Sequence, residues 1–131
     1  TKSGNLYVKR IVPAMHQAGY VFERATNISM AEQHLRALAG LPLMPVKQLM
    51  PVVAAYFTPA QESGIRTQWQ IKTNWFFNFY HRTLLQAHRA PVAGHVLVEA
   101  PSVKEALEQI EDTSIWQFGQ TTPADNEPEA E

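Results

Sequence analysis

The sequence predicts a helix-rich α+β domain with a small sheet. Three observations carry that prediction. Several stretches place apolar residues at helical spacing, and Ser29 and Ser102 each sit three residues before a glutamate, the capping-box pattern of a helix start. Between them lie short runs suited to strands. An apolar content of 45% with 18% charge lets 131 residues bury an ordinary core without staples. The expected order is α-β-α-α-β-α-β-α-β, compatible with a winged-helix-like arrangement. Residues 1–118 form one globular domain in this reading, and 119–131 form an acidic flexible tail or linker.

The first helix is expected over Asn5 to Ala18. There Tyr7, Val8, Ile11, Val12, Met15 and Ala18 share one face, and Gly19 ends it. Tyr20–Arg24 reads as a short strand. Ser29 opens the second helix with Ala31, Leu35 and Leu38 buried, and Gly40 closes it. The stripe Val46, Leu49, Met50, Val53, Tyr56 and Phe57 predicts a third helix with Pro51 on its outer side. Glu32 to about Leu49 then has the anchors of a helix–turn–helix, although its second helix offers only Lys47 and Gln48 to base edges, which favours protein contact.

Ile65 to Lys72 alternates apolar and polar residues and predicts a half-buried strand containing Trp69. From Trp75 on, two readings compete: a hairpin turned at Thr73-Asn74, or a helix capped by Asn74. Periodicity favours the helix. It gathers Phe76, Phe79, Tyr80, Leu84 and Ala87 on one arc and Asn78, His81, Arg82, Gln86, His88 and Arg89 on the other. His95–Glu99 is expected as a strand, Ser102 opens the last helix with Val103, Ala106, Leu107 and Ile110 inward, and Ile115–Phe118 forms a final strand.

Cysteine is absent, which excludes a disulfide scaffold, a thiol nucleophile and cysteine-based zinc sites. The longest unbroken apolar run, Val52–Phe57, is far short of the roughly 20 residues that a membrane helix needs. A cytoplasmic location is expected, with a removed signal peptide left open. The near-zero net charge hides a split. Residues 1–98 carry ten Lys/Arg against three acids, and residues 99–131 carry one Lys against nine acids. The 35 residues from Gly64 to Val98 hold no acid at all.

That distribution makes nucleic acid the expected partner. Lys72, Trp75, Asn78, His81, Arg82, Gln86, His88 and Arg89 would line one helix face, cations and amides on phosphate, and Trp75 stacked on a base. The expected function is a non-catalytic binding module of a larger assembly. A protein–protein interaction module is the alternative, with an enzyme accessory domain behind it. No catalytic residue, metal ligand or cofactor is expected. His81 and His88 stand about 10 Å apart along a helix, too far to share a metal; with His95 they read as unrelated surface residues, and His34 as a partly buried, hydrogen-bonded one. Oligomeric state is left open.

Overall fold

A computed structural model describes residues 11, 13–81 and 92–116. It is a small α+β domain: a three-stranded antiparallel sheet with four helices. A 3-10 turn at Gln17–Gly19 leads to α1 (Phe22–Ala25) and α2 (Met30–Leu38). An extended segment leads to β1 (Val52–Phe57). Then come α3 (Glu62–Ile71), β2 (Trp75–Phe79), β3 (Gly94–Glu99) and α4 (Val103–Glu111). β3, the last of these three strands in chain order, lies in the middle of the order β1-β3-β2. Among the described residues no helix is long and apolar enough to cross a membrane.

Both serines act as N-caps, but the glutamates do not close the expected boxes: Glu32 Oε1 accepts from Arg36, and Glu105 Oε1 accepts from the Ser102 hydroxyl. Ser29 Oγ accepts from the Glu32 N–H at 3.1 Å, and Ser102 Oγ accepts from the Glu105 N–H at 3.2 Å. Gly40, at φ +65°, lets α2 stop, and the Leu41 N–H bonds back to the Arg36 carbonyl.

The core lies on one face of the sheet. Ala55 and Phe57 of β1, Trp75 of β2, and Val96 and Val98 of β3 pack with Ile65 of α3 and with Ala106 and Ile110 of α4. Strand alternation sends Tyr56, Phe76, Asn78, His95 and Leu97 to the opposite face. β3 is buried along nearly its whole length because both of its faces are covered.

The α+β class stands, but several elements differ from expectation. Val46–Phe57 is not a helix: the chain is extended to Pro51 and becomes β1 after it, since proline cannot continue a helical hydrogen-bond ladder. The helix–turn–helix and the winged-helix-like arrangement fall with it. Ile65–Lys72 is not a strand but most of α3, and Trp69 is 56% exposed rather than buried. Trp75–Phe79 is a strand rather than a helix, because five residues with four aromatics fit a pleated sheet better, but no hairpin turns at Thr73-Asn74: α3 precedes β2, whose partner is β3. Tyr20–Arg24 is turn and helix. Residues 13–16 are not helical, and the earlier part of the expected first helix lies outside the described residues except for Ile11. Leu35 and Leu38 of α2 are exposed, not buried. Ile115 and Trp116 form a bend, and the rest of the expected final strand and the tail of 119–131 lie outside the described residues.

Candidate functional site

The second sheet face carries the densest group of polar and aromatic side chains. One row across the sheet reads Tyr56, His95, Asn78. His95 is the one buried polar side chain among the described residues, 5% exposed. Tyr20 stacks on its ring at 4.8 Å between centroids. Tyr80 and Tyr56 lie tilted at 5.6 and 5.8 Å. Tyr80 Oη and His95 Nδ1 are 2.7 Å apart. Tyr56 donates its hydroxyl proton to the Gln17 carbonyl at 2.8 Å, which ties the 3-10 turn to the sheet.

Burial sets the protonation states. It pushes the Tyr80 phenol up to about 12, aided by Tyr20, Tyr56 and Glu23 nearby. It raises Tyr56 as well, with Tyr20 contributing, and it lowers His95. Tyr80 Oη and His95 Nδ1 share one hydrogen bond, whose donor is set by the imidazole tautomer. His95 Nε2 is buried and has no hydrogen-bond partner among the described residues. The cluster is therefore a neutral aromatic clamp, unsuited to holding phosphate.

Beside it, Arg24 of α1 donates from Nε to Glu99 Oε1 at 2.7 Å, and its guanidinium lies 3.7 Å from the Phe76 ring centroid. Next to Glu99, Asn74 Nδ2 and Trp75 Nε1 both donate to Gln109 Oε1, at 3.0 and 3.1 Å. Among the described residues no group of three His, Asp or Glu side chains could hold a metal ion.

The residues expected to bind nucleic acid do not share a helix face. Lys72 follows α3, with its ammonium 5.4 Å from the Trp75 ring. Trp75 begins β2 and is 4% exposed. Asn78 lies in the His95 row of the second face, and His81 is exposed beyond the strand. Arg82, Gln86, His88 and Arg89 lie outside the described residues. The sequence assigns Tyr20, Tyr56 and His95 no part in a site. His95 was expected on the surface. Its position inside the apolar run Gly94–Val98 was the available signal, since a polar residue in a two-faced buried strand must find a specific neighbour.

No family model matches the chain. It is 48% identical over 42 residues to the N5-carboxyaminoimidazole ribonucleotide synthase of Brucella melitensis, 32% of this chain and 12% of that protein. Its fold matches an ADP complex of an N5-carboxyaminoimidazole ribonucleotide synthetase with a TM-score of 0.74 and 28% identity, covering 88% of this chain and 30% of that one. The Thermotoga maritima synthetase matches with a TM-score of 0.66 and 26% identity, over 87% and 33% of the two chains. The Staphylococcus aureus synthetase, at 20% identity and a TM-score of 0.68, shares the fold. The chain thus spans about a third of the length of the solved proteins it matches. These likenesses overturn the nucleic-acid module, its DNA-binding label, its nucleic-acid partner and the non-enzymatic reading.

Proposed function

We propose that this chain supplies one domain of an ATP-dependent synthetase of the N5-carboxyaminoimidazole ribonucleotide type. The observation that carries the reading is the 0.74 TM-score over 88% of the chain at 28% identity. The product's name describes a carboxyl group placed on the amino nitrogen of aminoimidazole ribonucleotide. That bond requires a one-carbon acid such as bicarbonate, and the ADP complex fits activation by ATP. Within the described residues the neutral Tyr20–Tyr56–Tyr80–His95 clamp offers neither a nucleophile nor a phosphate cradle. Its role in this reading is to fix α1 and the entry to residues 82–91 against the sheet. The division into a body of 1–118 and a tail of 119–131, and a cytoplasmic setting, belong to the same proposal.

A chimera tests it. The matched third of the Thermotoga maritima synthetase is replaced by this chain, and ADP release is followed with ATP, bicarbonate and aminoimidazole ribonucleotide. ADP release that depends on the ribonucleotide is expected. A chimera that melts in one cooperative transition yet releases no ribonucleotide-dependent ADP refutes the assignment.

A further inference from the structure

The sheet ends at β2 with an open edge. In an antiparallel ladder, hydrogen-bonded and non-bonded residues alternate along each strand. The Glu99 N–H donates to the Asn74 carbonyl at 3.2 Å, and the Tyr80 N–H donates to the Ala93 carbonyl at 2.8 Å. In the register Phe76↔Leu97 and Asn78↔His95, the even-numbered residues of β2 therefore turn their backbone toward β3. Trp75, Phe77 and Phe79 turn theirs outward. Among the described residues nothing hydrogen-bonds to those outward N–H and C=O groups.

Trp69 overhangs this edge. It stands one turn beyond Ile65 on α3, so the two share a helix face. Ile65 is fully buried, yet Trp69 is 56% exposed. The Trp69 ring lies 5.5 Å from the Phe79 ring and 6.5 Å from that of Phe77, and the sheet has no further strand for the rest of it to cover. The opposite edge is different. The Ala100 N–H donates to the Pro51 carbonyl, so by the same alternation Tyr56 of β1 turns its carbonyl outward. Trp116 Nε1 donates to that carbonyl at 2.6 Å, and Gln61 Nε2 holds the Ile115 carbonyl at 2.7 Å. The β1 edge is thus obstructed at Tyr56, a device that keeps other strands off.

We infer that the open edge of β2 pairs antiparallel with β2 of a second copy, about a two-fold axis at Phe77. The occupant follows from the symmetry of the strand itself. In that register Trp75 faces Phe79 of the second copy, Phe77 faces its own counterpart, and Phe79 faces Trp75. These are the residues whose backbone points outward, so every N–H meets a carbonyl and none is left over. A shift by one residue sets outward groups against inward ones, and a shift by two leaves an end of the strand unpaired. The facing pairs are aromatic, which adds to strand pairing, and β2 carries no charge to repel its copy. With β1 obstructed, the pairing closes as a six-stranded dimer and does not grow into a filament. At 56% exposure Trp69 brings roughly 140 Å² to the contact, out of about 250 Å² for a large aromatic side chain. Two such rings and one short strand pair amount to less than the ~1,200 Å² of stable complexes, which makes the dimer weak, on the order of 100 μM. The pairing holds whether or not the chain serves a synthetase.

Sedimentation equilibrium of the 131-residue chain, with amide exchange followed by NMR at the same concentrations, tests it. The chain is expected to be mostly monomer at about 10 μM and mostly dimer near about 1 mM. The Phe76 and Asn78 amides are protected by β3 throughout. The Trp75, Phe77 and Phe79 amides exchange freely in the monomer and gain about fivefold protection at the higher concentration. Phe77→Pro removes no bond to β3, because that N–H points outward, and should abolish the dimer. Trp69→Glu, at an exposed helix position, should weaken it about tenfold by placing a charge in the contact. Leu38→Glu, at a 72% exposed site on α2, should leave it unchanged. Far-UV circular dichroism shows which variants keep their fold, and Trp69→Glu decides the matter if Phe77→Pro does not fold. The inference is overturned by a chain that stays monomeric at about 1 mM. It is equally overturned if the Trp75, Phe77 and Phe79 amides are already protected in dilute chain, since a strand of the same chain then holds the edge. A dimer that Leu38→Glu abolishes, or that Trp69→Glu leaves untouched, overturns it as well.

Discussion

Gly94 is the position at which one added carbon should cost most. It starts β3 and pairs with Phe57 on one side and Phe79 on the other. A Cβ there would fall inside contact distance of the Asn78 carbonyl oxygen and of Phe57 Cζ, and 2.8 Å from Phe57 Cε1. Phe57 is 1% exposed and cannot swing away, and the Asn78 oxygen belongs to the neighbouring strand. Relief therefore requires separating β2 from β3. Overpacking of this kind costs about 1–3 kcal/mol, and a backbone obstacle puts Gly94→Ala at the upper end. For a chain of this size that lowers the melting temperature on the order of 10 °C. Gly64→Ala is the matched control. Its Cβ would meet only the Ile115 side chain, at 3.3 Å, and helix α3 gains about 1 kcal/mol from alanine over glycine. It should be neutral or stabilising. Urea titrations followed by circular dichroism measure both. A Gly94→Ala loss under about 0.5 kcal/mol, or equal losses at the two sites, would refute the steric account.

His95 should make stability pH-dependent. Its folded pKa lies below the unfolded value, so the unfolded chain binds the proton first, and stability full above about pH 6.5 falls by up to about 1.4 kcal/mol per unit as pH drops toward the folded pKa. His95→Leu should flatten that limb, and an unchanged slope in urea melts from pH 7 to 5 would count against it. Tyr80 works at the other end. With its pKa pushed up to about 12, the stability that its protonated phenol provides should decline between about pH 10 and 12, less steeply in Tyr80→Phe. Ser102→Ala should cost about 1 kcal/mol through the lost cap of α4; no change would mean the cap is redundant. Ile65→Ala, at a fully buried site, should cost about 2–5 kcal/mol, seen in the same melts.

Elements with local start signals were legible from sequence: α2 and α4 from their serine caps, and β3 from its β-branched apolar run. The middle of the chain was not, and the reason is physical. α3 buries one residue, Ile65, so no apolar stripe betrays its period, while Ile65-Arg66-Thr67-Gln68-Trp69 alternates by chance. A usable signal was present just upstream. Thr58-Pro59-Ala60-Gln61 places proline at a helix start and lets Gln61 Oε1 accept from the Thr58 N–H at 2.8 Å. Val46–Phe57 imitates a helical stripe because half of its apolar residues face outward, toward a surface that sequence patterning assumes to be core. The clamp around His95 joins Tyr20, Tyr56 and Tyr80 from distant parts of the chain, and only the sheet register brings them together. The basic character of 64–98 is a fact of composition, and Arg82, His88 and Arg89, which supply much of it, lie outside the described residues.

The central strand of this sheet is also the last to be made. β1 and β2 both hydrogen-bond to β3 and not to each other, so neither has a sheet partner until Glu99 has left the ribosome. Twenty residues separate Phe79 from Glu99, roughly 1–4 s of synthesis. Throughout that interval Trp75-Phe76-Phe77-Asn78-Phe79, uncharged and free of proline, is an unpaired strand of the kind that joins other chains. Competition between copies for β2 is then decided by how soon β3 arrives, and slowing translation between the two strands should divert nascent chains into aggregates.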